Sequence, residues 1–173
     1  STKGLIPAAS PKDVAEAVDT VILMLPDTGT VETILLGKNG VIEGVQSDAL
    51  IIDMGTTAVM ATRQFAAATE EAGGNYVDAP VSGGAVGAQG ASLSIMAGGS
   101  DTAFSRAKHI FEVLGQNISH VGDVSAGQVT KTVNQVIVGL TIGAVSEALV
   151  LAESAGVDPA KVREALMGGF ATS

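Results

Sequence analysis

Two segments carry the residue types and spacings best suited to chemistry: Asp78-Ala-Pro-Val-Ser-Gly-Gly-Ala85 and Gly127-Gln-Val-Thr-Lys-Thr-Val-Asn-Gln135. In and just after the first, Gly83, Gly84, Gly87 and Gly90 follow a short apolar strand pattern. Glycine allows backbone N–H groups to close around an anion, and the Ser82 hydroxyl adds a donor. Ser82, Gly83 and Gly84 are therefore candidates for holding a carboxylate. In the second, Asn134 and Gln135 stand three and four residues after Lys131, on one side of a helix. Val129, Val133 and Val136 flank the lysine, and partial burial lowers an ammonium pKa toward the range useful for proton transfer. Together the segments suggest acid/base chemistry on a small hydroxy acid. Singly, each has a plainer reading: a flexible loop at a sheet end, and a lysine whose stem packs while its head reaches water.

Two further segments follow strand patterns, Leu25-Pro-Asp-Thr-Gly-Thr30 and Met54-Gly-Thr-Thr57. Both offer hydroxyls and N–H groups where open α/β sheets bind ligands, although ordinary helix capping uses the same residues. His109 lies among Arg106, Lys108 and Glu112 in a surface pattern, and His120 ends a strand, where a structural role is expected. No metal site is expected: the histidines are far apart, no carboxylates pair at ligand spacing, and cysteine is absent.

The elements that must position these residues follow from apolar periodicity. Strands are expected over 21–25, 50–53, 75–78, 93–97 and 117–121, and helices over 28–36, 57–72 and 101–114. Such alternation specifies a doubly wound α/β sheet. Beyond Gly122 the pattern changes. One helix is expected over 126–155, about 45 Å long at 1.5 Å per residue, with a short second helix ending near Met167. Apolar residues lie nearly all round the long helix, so it should be buried, against a helical domain or another subunit.

Composition narrows the function classes. The 173 residues are 46% hydrophobic and 16% charged, with a formal charge of −9, which excludes a disordered chain and disfavours nucleic acid as a partner. The absence of cysteine removes thiolate chemistry and fits a cytoplasmic setting. No membrane partner is expected, since the most apolar stretch, 136–145, falls short of the ~20 residues a span needs and contains two glycines. The residues before Pro7 offer no signal-peptide-like apolar run.

The segment 78–84, followed by Gly127-x-x-x-Lys131-x-x-Asn134-Gln135, resembles the β-hydroxyacid dehydrogenases (the 3-hydroxyisobutyrate dehydrogenase-like family). The likeness extends to Leu25-Pro26, the stretch 37–44, Ile52-Asp53-Met54 and Ser146-Glu-Ala-Leu149. The resemblance implies Lys131 as catalytic acid/base; Ser82, Gly83 and Gly84 as the substrate carboxylate site; Asn134 and Gln135 as substrate-orienting amides; and Leu25, Pro26, Thr30 and Thr56 as contacts to NAD or NADP. It also implies a small carboxylate substrate and a homodimer or homotetramer formed through the long helix and helical domain. Many members have two asparagines after the lysine. The Asn134-Gln135 pair tilts the reading toward the branch that reduces tartronate semialdehyde, and away from a 3-hydroxyisobutyrate or glyoxylate-type substrate. Lys131 argues against the related imine-reducing enzymes. Ser125 stands where the family has the first glycine of a Gly-x-Gly, a change a helix start should tolerate.

A dinucleotide site normally opens with strand–Gly-x-Gly-x-x-Gly–helix, and nothing before Val21 matches. The expected fold is thus a doubly wound Rossmann-like sheet lacking its first βαβ unit, followed by a long helix opening an all-α domain. Residues 1–123 form the partial dinucleotide-binding part and 124–173 the start of the helical part. The rival reading is a non-catalytic piece that keeps only the fold or a self-association surface.

Overall fold

The computed structural model describes residues 4–171. The order is α1 (Pro11–Ala17), β1 (Thr20–Leu23), α2 (Thr28–Leu36), β2 (Leu50–Asp53), α3 (Val59–Glu71), β3 (Asn75–Asp78), β4 (Val81–Ser82), α4 (Gly84–Gln89), β5 (Leu93–Gly98), α5 (Asp101–Leu114), β6 (Gly115–Gly122), α6 (Ala126–Ser154) and α7 (Pro159–Leu166). Helix starts are set locally. Ser10, Asp27, Ser100 and Asp158 cap α1, α2, α5 and α7, each accepting a first-turn backbone N–H.

β1, β2 and β3 are parallel, with Leu23, Asp53 and Asp78 in one register row. Their carboxyl ends therefore share an edge of the sheet. The apolar runs of β2 and β3 are buried on both faces, as in a parallel sheet under helices, whereas β1 buries Val21 and Leu23 and leaves Ile22 exposed. Leu50, Ile52 and Val77 pack with Ala103, Ala107 and Phe111 of α5, while Val21, Ile51 and Tyr76 pack with Val31, Leu35 and Phe65 on the other side.

The sheet is doubly wound as expected, and it is mixed. β5 runs antiparallel to β3 and β4, placing Gly98 opposite Asp78 and Ile95 opposite Val81, and β6 is parallel to β5. The physical reason is connection length. A parallel crossover takes a dozen or more residues, and too few lie between Ser82 and Leu93. The stretch 80–90, expected as a glycine-rich loop, instead contains β4 and the short α4. Pro80 separates β3 from β4, yet its carbonyl still accepts from the Met96 N–H at 3.0 Å.

Compact packing divides the chain into a unit ending at Lys131 and another beginning at Thr132. The expected division at 123/124 marks the approach to α6. The first unit continues past it because Gly127 and Gln128 are buried. In the second unit, Gly156 reverses the chain at φ +76°, and α7 begins at Pro159. Val145, Leu149, Val162, Leu166 and Phe170 line an apolar cleft of about 380 Å³ there. The apolar surface of α6, expected to bury against a helical domain or another subunit, is exposed within this chain at Ile137, Leu140, Ile142 and Leu151. By length and composition alone, this helix also contains a window apolar enough to cross a membrane.

Candidate functional site

The shared carboxyl edge of β1, β2 and β3 gathers most of the candidates. Leu25 is half-buried and Pro26 exposed in the turn after β1, and Thr30 lies in the first turn of α2. Asp27 accepts the Thr30 N–H at 2.8 Å, and that bond holds its carboxyl below the usual pKa range. Thr56 is exposed in the turn after β2. These two turns are joined by the Ala58 N–H, which donates to the Thr28 hydroxyl at 2.9 Å.

Ser82 is half-buried at the end of β4, followed by Gly83 at φ +130° and Gly84 at φ +60°. Side chains avoid both conformations, so the double glycine is a backbone requirement. A Cβ on Gly83 would also press on Leu93, whereas one on Gly84 would meet open space.

Behind this edge lies a buried polar cluster. Asp53 and Asp78 both have zero exposure. Asp53 accepts from the Gly55 N–H (3.0 Å), the Thr57 hydroxyl (3.2 Å) and the Tyr76 hydroxyl (3.1 Å). Burial nevertheless pushes its pKa up. Asp78 accepts from the Ser125 N–H at 2.7 Å and the Gln128 N–H at 2.9 Å. Burial pushes Asp78 up to about 6, against the pull of those two donors. A carboxylate at a helix start satisfies N–H groups that have no partner within the helix and complements the helix dipole. Asp78 thus anchors α6 to the sheet, and only glycine fits at 127, where a Cβ would meet the Asp78 carbonyl at 2.7 Å.

Gln128 completes the cluster. Its Oε1 accepts from the Thr57 N–H (3.1 Å), and its Nε2 donates to the Gly55 carbonyl (2.9 Å). Lys131 follows one turn later. It is half-buried, and desolvation lowers its pKa from the ordinary value. Gln128 thereby joins the Thr56 turn to the first turn of α6, the helix that carries Lys131. Asn134 and Gln135 fall in the second unit, where Asn134 Nδ2 donates to Gln135 Oε1 at 2.9 Å.

The sequence pattern gives Thr57 only as one hydroxyl of the 54–57 turn and gives no individual role to Asp53, Tyr76, Arg63, Asp78 or Gln128. One signal was present. Two aspartates each end an apolar strand, where water is excluded and a carboxylate must find donors. Ser125, expected to be a tolerated change, has φ +78° and is buried, with its Oγ accepting from Arg63 Nε at 3.0 Å. His120 is structural in its contacts: its ring stacks on Phe104 at 4.5 Å, and Nε2 lies 2.7 Å from the Gly99 carbonyl.

A doubly wound sheet with ligand-facing turns at its carboxyl edge defines a dinucleotide-binding class of α/β domain. Residues 1–122 match the family described as the NAD binding domain of 6-phosphogluconate dehydrogenase. Residues 125–173 match the NAD-binding family of NADP-dependent 3-hydroxyisobutyrate dehydrogenase. The 2-hydroxy-3-oxopropionate reductase of Escherichia coli (strain K12) is 48% identical over 98% of this chain and 58% of its own length. The 3-hydroxyisobutyrate dehydrogenase of Pseudomonas aeruginosa is 40% identical over 87% of this chain and 51% of its own. The Mycobacterium tuberculosis 3-hydroxyisobutyrate dehydrogenase, solved with L-serine, superposes with a TM-score of 0.86 at 31% identity, covering 96% of this chain and 56% of that one. The chain belongs to the β-hydroxyacid dehydrogenase family of NAD(P)-dependent oxidoreductases. It spans little more than half the length of these relatives.

Proposed function

We propose that this chain is the part of an NAD(P)-dependent reductase that holds the substrate and the proton donor, interconverting a short β-hydroxy acid and its semialdehyde. The observation that carries the reading is Lys131, half-buried with a lowered pKa on a helix anchored to the ligand edge of the sheet. Tartronate semialdehyde is the proposed substrate, supported by 48% identity to the 2-hydroxy-3-oxopropionate reductase and by the Asn134-Gln135 pair. A 3-hydroxyisobutyrate-type substrate is the alternative, supported by the 40% identity to the Pseudomonas aeruginosa enzyme.

The residues at the ends of β1 and β2 suit a nicotinamide and its ribose. Leu25 and Pro26 offer apolar surface, Thr30 and Thr56 offer hydroxyls, and the nearby Asp27 carboxylate is engaged in capping. When bound, the dinucleotide supplies or accepts the hydride. Ser82 and the N–H groups of Gly83 and Gly84 bind the substrate carboxylate and orient it. Lys131 donates a proton to the oxygen of the carbonyl being reduced, and its positive charge stabilises negative charge developing there. In oxidation the same amine removes the hydroxyl proton, for which a lowered pKa is an advantage. Asn134 and Gln135 orient the substrate. The exposed apolar length of α6 supports association as a homodimer or homotetramer.

Lys131→Ala in the full-length protein should lower kcat by about 10²- to 10⁴-fold, the usual contribution of a positioned acid/base, while dinucleotide affinity stays near wild type. Stopped-flow turnover and a fluorescence titration with NADH and NADPH would check this. Near-normal turnover would sink the assignment of Lys131 and favour a chain that keeps only the fold.

A further inference from the structure

Gln128 is 1% exposed and lies one helical turn before Lys131. A buried primary amide is costly unless its donor and acceptor ends are both engaged. Here both ends reach away from α6, to the Thr57 N–H at 3.1 Å and the Gly55 carbonyl at 2.9 Å. These backbone groups flank Thr56, so one side chain brackets that residue from both sides. Each body joined by this bracket is independently held. The turn is fixed by the Gly55 N–H on Asp53 and the Ala58 N–H on Thr28. The helix start is fixed by the Ser125 and Gln128 N–H groups on Asp78.

We propose that Gln128 is a positioning residue, setting the Thr56 turn against the helix that bears Lys131 and hence the dinucleotide against the proton donor. The roles of Thr56 and Lys131 rest on the function proposed above; the hydrogen-bonded tie does not. Donor and acceptor face a carbonyl and an N–H in fixed order, which a carboxamide matches. An ionised carboxylate presents acceptors to both, and a thioether satisfies neither.

The test uses Gln128→Met and Gln128→Glu in the full-length protein, with amide hydrogen exchange beside steady-state kinetics. For Gln128→Met, exchange at the Thr57 amide should accelerate at least tenfold. kcat should fall by about ten- to a hundredfold, the scale of a small misplacement of reacting groups. The KM for dinucleotide should stay within about threefold, because the loss falls on the transition state.

Gln128→Glu carries a second signature. When protonated, its carboxyl donates to Gly55 and accepts from Thr57, so its kcat relative to wild type should climb as pH falls. The titratable groups around it are Asp53 with Tyr76, Asp78, the Arg63 that binds Ser125, and Lys131. The two carboxyls should raise the new group's pKa toward a measurable range.

Unchanged Thr57 exchange overturns the tie. A kcat within twofold of wild type, with only stability lost, overturns the positioning role, as does a pH-independent ratio for Gln128→Glu. If Gln128→Met does not fold, the Glu variant alone decides. A wild-type protein that turns over no short hydroxy acid with either dinucleotide refutes the proposed function and the catalytic half of this inference, while Thr57 exchange still decides the tie.

Discussion

Asp53 and Asp78 occupy the same register row, end neighbouring strands and are equally buried, yet they hold different things. Asp53 organises its own turn, through Gly55 and Thr57, plus a hydroxyl from the adjoining strand. Asp78 reaches 47 and 50 residues ahead to the start of α6. Their donors also differ in kind. Two of the three on Asp53 are hydroxyls, which can rotate and accept instead. Both on Asp78 are backbone N–H groups, which can only donate. Similar buried carboxylates are therefore expected to differ sharply in tolerance to an amide. The one that reaches across the fold is the less replaceable.

The largest effect should come from Asp78→Asn. An amide nitrogen has no lone pair for the second N–H, so one buried donor is orphaned at a cost of about 2 kcal/mol. Urea denaturation near pH 5 would measure it, and equal stability of variant and wild type would break the contrast. The pH dependence has a definite sign. Burial raises Asp78 from 3.8 to about 6 in the folded state. A raised folded pKa gives a contribution fully present below the unfolded pKa and lost as pH rises through the folded one. Wild type should therefore lose stability relative to Asp78→Asn between about pH 4 and pH 7, and the gap between them should narrow. A widening gap would show that the two N–H donors outweigh burial.

Asp53→Asn should be milder, about 1 kcal/mol or less, because the Thr57 and Tyr76 hydroxyls can turn to accept from the new amide. The Gly55 N–H keeps its acceptor. Parallel denaturation of the two asparagine variants is the sharpest form of the comparison. A cost at Asp53 equal to that at Asp78 would mean the hydroxyls are locked by their other neighbours, such as Thr62 at 2.8 Å from Thr57.

The same distinction explains how much of the fold and site was legible in the sequence. Local signals read well. Asp27, Ser100 and Asp158 sit where capping chemistry places them, the apolar runs at 50–53 and 75–78 are strands, and the Gly83-Gly84 pair has the positive φ angles that glycine suggests. Lys131 is partly buried, but the valines expected to shield it, Val129, Val133 and Val136, are themselves exposed. What stayed illegible is nonlocal. Nothing near Asp78 announces that Ser125 and Gln128 will supply its donors, and nothing near Gln128 announces the backbone around Thr56. The antiparallel turn of β5 follows from connection length, which becomes decisive only once β4 is seen to continue β3 past Pro80.

The smallest effect tests whether Asp78 holds α6 through backbone alone. Ser125 lends its N–H to Asp78, while its side chain meets Arg63, itself exposed at the surface. Ser125→Gly relieves a φ of +78°, worth about 1 kcal/mol for a side-chain-bearing residue. It also loses a hydrogen bond worth about 1 kcal/mol and adds backbone freedom to the unfolded chain. The terms nearly cancel, so stability should move by no more than about 0.5 kcal/mol, and the Ser125 amide should remain protected from exchange. Adding Arg63→Ala to a double-mutant cycle isolates the side-chain pair, with an expected coupling of about 0.5 to 1 kcal/mol. A loss well beyond that range, accompanied by faster exchange at Gln128, would show that the Arg63–Ser125 contact shares in anchoring the helix and that Asp78 does not act through the backbone alone.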